Sequence, residues 1–253
     1  MTNLPNMKTQ NLTESLERIV PDEIDKDDDF GMQSLRLHVE RYEFAKKHLS
    51  PGRILDIACG CGYGSYLLAT GGQDKIKELV GMDIAEDAIA YARQRFQHPL
   101  IKFVQADIEE LNDTGRFDTI VSLETIEHLQ EPAEIIKKYY ESLLPNGRMV
   151  VSAPITPSMD ANPFHLNDFT KSSFKKLFVP YRMQLIDELE QKQRFSLKQV
   201  LGEKRHQRLG SIRPSIKNYY LKNPSKLMTR IYSILINGFN NNYLTVVFKK
   251  NPD

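Results

Sequence analysis

The chain has 253 residues, a formal net charge of +1, 40% hydrophobic residues and two cysteines, Cys59 and Cys61. A balance this near neutrality gives no overall field that would gather nucleic acid, and two cysteines make neither a disulfide framework nor a metal cage. No run of about 18 apolar residues occurs, so no helical membrane span is expected; Met1 to Asn11 lacks the apolar core of an export signal, so a cytoplasmic setting is expected.

Residues 1–33 read as an N-terminal arm: Glu14 to Asp29 carries eight acids against two bases, the pattern of a solvated acidic segment. Residues 34–253 read as one α/β domain, long enough for a full core. Ser34 to Leu49 has helical periodicity, with Leu35, Val39, Tyr42, Phe44 and Ala45 near one face. His38, Arg41 and Tyr42 on this helix could close over whatever the following strand and loop bind. Ile54-Leu55 then reads as a strand running into Asp56 and a loop with Gly60, Gly62 and Gly64. Glycine allows a sharp turn and lets a ligand come into contact with the backbone. A strand, a glycine-rich turn and a helix build the nucleotide crevice of open α/β sheets.

Two common phosphate ligands are disfavoured. A P-loop needs Gly-Lys-Ser/Thr after its glycines, whereas Gly64-Ser65-Tyr66 follows here. An acid ahead of the glycines would repel a pyrophosphate and attract an ammonium or sulfonium centre. The run Asp56-x-Ala58-x-Gly60-x-Gly62-x-Gly64 resembles motif I of the class I S-adenosylmethionine-dependent methyltransferases, with Ala58 in place of the first glycine. The resemblance implies S-adenosylmethionine as cofactor, with Asp56, Ala58, Gly60 and Gly62 around it.

Leu79 to Asp83 reads as a second buried strand ending in an acid, and Asp83 follows Gly62 by 21 residues. That is the distance at which a ribose-binding carboxylate is expected; the alternative is a cap for the helix Ala85 to Phe96. Ile101 to Gln105 reads as a third strand, followed by Asp107. In the resembled family an acid here faces the adenine amino group, Ile84 and Ile108 sandwich the ring, and Leu123 belongs to the same set.

Phe117 to Leu123, Arg148 to Ser152, Met183 to Glu188 and Tyr243 to Phe248 complete the strands, with helices over Pro132 to Leu144 and Ser172 to Phe178. The alternation argues for a mostly parallel sheet. The resemblance makes it a Rossmann-like seven-stranded sheet whose last strand is antiparallel. Residues 192–241 are a basic insertion before that strand: Gln191 to Arg230 holds eleven Lys/Arg and one acid, Glu203. It is either a solvated face or a surface for a polyanionic substrate. Leu227 to Phe239 within it is largely apolar and too short to span a bilayer; it is expected to be a packed helix, the alternative being an interfacial anchor.

The fourth strand runs into Glu124-Thr125-Ile126-Glu127-His128. One helical turn would put Glu124, Glu127 and His128 on one side, at the strand ends where ligands sit in this fold. Asn162 to Thr170, with His165, could fold over the same crevice. Arg18 to Pro21, the glycine loop, the Glu-Thr-Ile-Glu-His run and Pro163-Phe164-His165 together resemble bacterial methyltransferases often encoded with sugar and surface-polysaccharide enzymes. The resulting expectation is O-methylation of a small molecule or a sugar hydroxyl. His128 would be the base, Glu124 or Glu127 would orient it, and His165 would hold the acceptor. A second expectation uses the same four residues as ligands of a divalent metal, because the run resembles the metal site of small-RNA 3′-terminal ribose methyltransferases; RNA would then be the partner. A third is a catalytically silent partner subunit.

Overall fold

The computed structural model describes residues 18–25, 27–109, 111, 116–160, 162, 164–194 and 216–252. Most of the expected arm and the middle of the basic insertion, 195–215, lie outside the described residues. Helix α1 (Asp29–Lys47) begins ahead of the expected Ser34. The chain then alternates β1 (Gly52–Ile57), α2 (Tyr63–Gly71), β2 (Ile76–Asp83), α3 (Glu86–Arg95), β3 (Ile101–Gln105), β4 (Phe117–Ser122), α4 (Pro132–Ser142) and β5 (Leu143–Pro154). After β5 come α5 (Lys171–Lys176), β6 (Gln184–Gln193), α6 (Ile216–Lys222), α7 (Pro224–Asn237) and β7 (Asn241–Lys249).

The seven strands form one sheet in the order β3-β2-β1-β4-β5-β7-β6. β1 pairs in parallel with β2 and β4, and β4 with β5, while β7 runs antiparallel between β5 and β6. This is the mostly parallel sheet with an antiparallel last strand that the sequence suggested. β5 and β6 run past their expected ends, to Pro154 and Gln193, because each follows β7 in register there.

Successive strand residues serve opposite faces. Leu55, Ile57, Ile120 and Met149 pack with Ile135 and Tyr139 of α4 and Phe174 of α5. Ile54, Leu79, Val121 and Val150 pack with Ala45 of α1 and Leu68 of α2. A sheet covered on both faces needs continuous apolar strands, which is why β1 and β4 read as runs without alternation. Local signals start several helices: Pro132 sits in the first turn of α4, and Thr170 and Ser173 form a reciprocal capping box on α5.

Helix α7 departs from the expectation of a packed helix. Ser233 is its one buried residue. Lys226 donates to Asp168 Oδ2 at 2.8 Å, and Arg230 pairs with Asp160. The polar side of α7 therefore faces the body of the protein, and its apolar side faces outward.

Candidate active site

The site begins where β1 ends. Ala58, Gly60 and Gly62 have φ of 54°, 56° and 86°, all in the left-handed region. Two glycines take this conformation without strain, whereas Ala58 takes it at a cost. The glycines have different reasons. A Cβ on Gly62 would lie 2.6 Å from Ala92 Cβ, and one on Gly64 would lie 1.9 Å from Tyr42 Cζ. Those two glycines let helices approach. Among the described residues a Cβ on Gly60 would meet Arg18 Cγ alone, at 3.7 Å, so the Gly60 backbone is the part of the loop open to a ligand.

Asp56 differs from the expected carboxylate presented to a cation. It is wholly buried under the loop. Ser65 Oγ donates to it at 2.6 Å and the Tyr42 hydroxyl approaches both oxygens at 3.4 Å. Burial pushes its pKa up to about 7, against the lowering by Ser65 and Tyr42. Asp56 thus ties α1 and α2 to the strand end rather than lining the crevice.

Asp83 stands at the carboxyl end of β2, beside Gln105 at the end of β3. Its Oδ2 accepts from Gly60 N and its Oδ1 from Ala85 N, each at 2.9 Å. Helix α3 has no side-chain cap, so Asp83 braces the turn ahead of it rather than capping it; a carboxylate has about four lone-pair sites, and two are used. Arg18 NH2 lies 3.8 Å from Asp83, and Val20 is buried, so the end of the expected arm is packed against the loop. Asp107 is half-buried and caps its own turn through Glu109 N at 2.9 Å. Ile108 is half-buried against the core, whereas Ile84 is 65% exposed. Leu123 is buried at the end of β4.

Two buried donors near this loop have no hydrogen-bond partner among the described residues: the Tyr63 hydroxyl and Arg41 Nε. They follow Gly62 and Glu40 in the chain, and Arg41 is close enough to act electrostatically on Tyr63. Arg41 also lies 4.4 Å over the Tyr243 ring. Of the residues expected on α1 to close over the site, Arg41 and Tyr42 are buried beneath it and His38 is half-buried. Both cysteines are free and buried; burial raises the Cys61 thiol to about 11.

The second part of the site follows β4, and the expected helical turn is absent. Glu124 has φ 51°, and only Ile126–His128 form a 3₁₀ turn. The left-handed residue splits the four expected partners. Glu124 turns back into the fold, accepting from Ser152 Oγ at 2.6 Å with Arg41 NH1 at 3.8 Å. Glu127, His128 and His165 are brought together, with donor atoms all within 4.8 Å of one another. The two imidazoles meet edge to face, centroids 4.7 Å apart at 82°.

Backbone fixes this arrangement. Leu166 N and Asn167 N donate to Glu127 O at 2.8 and 3.1 Å, which pins the segment after β5 onto the segment after β4. His128 Nδ1 lies 3.1 Å from Phe164 O. A carbonyl can only accept, so Nδ1 carries the hydrogen and neutral His128 keeps its lone pair on Nε2. His165 Nδ1 contacts Ser158 Oγ at 2.6 Å. Ser158 and Ser152 went unremarked in the sequence, where an isolated serine carries no signal.

Residues 48–212 match the family model described as a methyltransferase domain. A probable S-adenosylmethionine-dependent methyltransferase of Mycobacterium tuberculosis is 27% identical over 175 residues, which is 66% of this chain and 60% of that protein. A ubiquinone biosynthesis O-methyltransferase of Azorhizobium caulinodans is 38% identical over 103 residues, 40% of this chain and 39% of that protein. The chain thus spans at most about 60% of these relatives. In fold, the N-methyltransferase NodS of Bradyrhizobium japonicum, solved with S-adenosyl-L-homocysteine, superposes with a TM-score of 0.61 at 16% identity, covering 96% of this chain and 98% of that one.

Proposed function

The chain belongs to the methyltransferase-domain family, and we propose that it is an S-adenosylmethionine-dependent methyltransferase acting on a hydroxyl of a small molecule or sugar. The residues present fit that cofactor. Asp83 has lone pairs left for ribose hydroxyls, Ile84 and Ile108 flank the place for an adenine with Asp107 near its amino group, and Gly60 lets the chain pass close by while Gly62 holds the loop against α3. The unpartnered donors on Arg41 and Tyr63 suit the cofactor's carboxylate. Leu123 closes the crevice from the end of β4. Buried free thiols agree with a cytoplasmic setting.

S-adenosylmethionine would supply a sulfonium-bound methyl group, whose carbon would bond in line to an acceptor oxygen as the thioether, S-adenosyl-L-homocysteine, leaves. The acceptor's proton has to leave as the new bond forms. The observation that carries the reading is His128: its Nδ1 is committed to Phe164 O, so Nε2 is the basic atom. His165 stands edge-on beside it and is placed to orient the acceptor. Glu127, rather than Glu124, adjoins the histidines and favours the imidazolium as it forms. Glu124 holds Arg41 and Ser152 in place.

Methyl-labelled cofactor, offered with candidate acceptors, tests this directly. His128→Ala is expected to lower turnover about 100-fold or more while S-adenosyl-L-homocysteine still raises the melting temperature. Wild-type turnover in both His128→Ala and His165→Ala would overturn the assignment. No thermal shift in the wild-type protein would instead support a silent partner subunit.

A second reading rests on the close approach of Glu127, His128 and His165. An imidazole held through Nδ1 by a carbonyl is also the usual arrangement of a metal ligand, and these three would hold a divalent cation that grips vicinal hydroxyls, as at an RNA 3′ end. Loss of turnover on chelation, restored by the divalent ion, together with ribonuclease-sensitive label, would select this reading over the base.

A further inference from the structure

An amphipathic helix on a globular protein normally turns its apolar stripe inward. Helix α7 does the reverse. Lys226, Arg230, Ser233 and Asn237 fall on its inner side at intervals of three or four. Their partners are Asp168, Asp160 and each other. Tyr220 of α6 donates to the same Asp160. Leu227, Met228, Ile231, Tyr232, Leu235 and Ile236 project outward, Leu235 at 79% exposure, and Leu221 at the end of α6 is 80% exposed. An apolar face made of six exposed side chains along one helix marks a place where something binds.

We propose that this face docks on an anionic lipid bilayer, with α7 lying in the plane of the interface. Length agrees: 14 residues make a helix of about 21 Å, shorter than a hydrocarbon core of about 30 Å. Charge agrees: Ile216 to Asn240 contains no acid, and besides Lys226 and Arg230, which are committed to Asp168 and Asp160, it carries Lys217 and Lys222. Tyr232, with an apolar ring and a polar tip, suits the headgroup level. A second copy of the chain fits less well, because a self-complementary contact brings like-charged surfaces together. RNA fits less well, because phosphates leave the apolar side chains uncovered. The ion pairs to Asp160 and Asp168 join α7 to the segment that carries His165, so the docked surface adjoins the acceptor side of the site. The inference stands independently of the acceptor chemistry proposed above.

Flotation of the full chain with vesicles tests it. The protein is expected to float with phosphatidylcholine vesicles containing phosphatidylglycerol and to stay behind with phosphatidylcholine alone. Leu235→Glu with Ile236→Glu is expected to reduce that partition about tenfold or more. Both side chains point to solvent, so an unchanged thermal shift with S-adenosyl-L-homocysteine reports an intact fold. Three results would overturn the proposal: flotation unaffected by the double substitution, a dimer in solution that the substitution dissociates and that ignores vesicles, or retention on an RNA homopolymer with no flotation.

Discussion

Replacing Asp56 by Asn should stabilise this protein at neutral pH and above. The carboxyl is fully buried, and its pKa rises from 3.8 to about 7, mainly through loss of solvent. A group that binds its proton more tightly in the native state lowers stability as pH climbs from the unfolded to the folded value. Below about pH 4 the proton is bound in both states and the group contributes nothing. Above about pH 7 it is ionised in both, and the full cost applies: about three pKa units at 1.36 kcal/mol each, or about 4 kcal/mol. Asn keeps the shape and can still accept from Ser65 Oγ, though a neutral acceptor forms a weaker bond than a carboxylate. The expected net gain at pH 8 is about 2–3 kcal/mol, shrinking to under about 1 kcal/mol at pH 4.5. In thermal melts of a chain this size that is a rise of roughly 4–10 °C at pH 8. A variant less stable than wild type at pH 8, or a difference independent of pH, would refute the reasoning and show that Ser65 and Tyr42 outweigh burial.

Ala58→Gly removes an exposed methyl from a left-handed residue and is expected to add about 0.5–1 kcal/mol in urea unfolding; a loss would mean that the loop leaves φ 54° when unconstrained. Gly64→Ala should do the opposite of an ordinary helical Gly→Ala change: the new Cβ overlaps Tyr42, with an expected cost of about 3 kcal/mol, and shrinking the neighbour in a Tyr42→Leu background should recover much of it. Arg230→Met removes the charge partner of the nearly buried Asp160, which keeps only its bond from the Tyr220 hydroxyl, and should cost about 3 kcal/mol, part of it restored by adding Asp160→Leu, which also leaves Tyr220 without that acceptor. Calorimetry of the single and double variants checks this pair.

The sheet was legible because its strands are local patterns. A strand buried on two faces reads as a short apolar run, and the acid or glycine that follows marks its end. The chemistry after β4 was only partly legible. Spacing put Glu124, Glu127 and His128 on one helical turn, but Ser152 and Arg41, distant in sequence, hold Glu124 in a left-handed conformation that no local rule assigns. Asp56 lies near the end of β1, as the sequence suggested, but its surroundings were not legible, because Tyr42 and Ser65 close over it from two helices. The apolar stretch of α7 was visible, but its direction depends on Asp160 and Asp168, which draw its cations inward.

The placement of β7 bears on how the chain is made. Strand β6 hydrogen-bonds along its length to β7 alone, and β7 lies between it and β5. During synthesis Gln184–Gln193 leaves the ribosome well before Asn241–Lys249, so β5 and β6 each wait with an open edge for the strand that joins them. Helices α6 and α7 emerge in that interval, and their anchors, Asp160 and Asp168, are already in place. Final closure of the sheet is thereby a long-range event, of the kind that sets folding speed and leaves a nascent chain open to stray pairing.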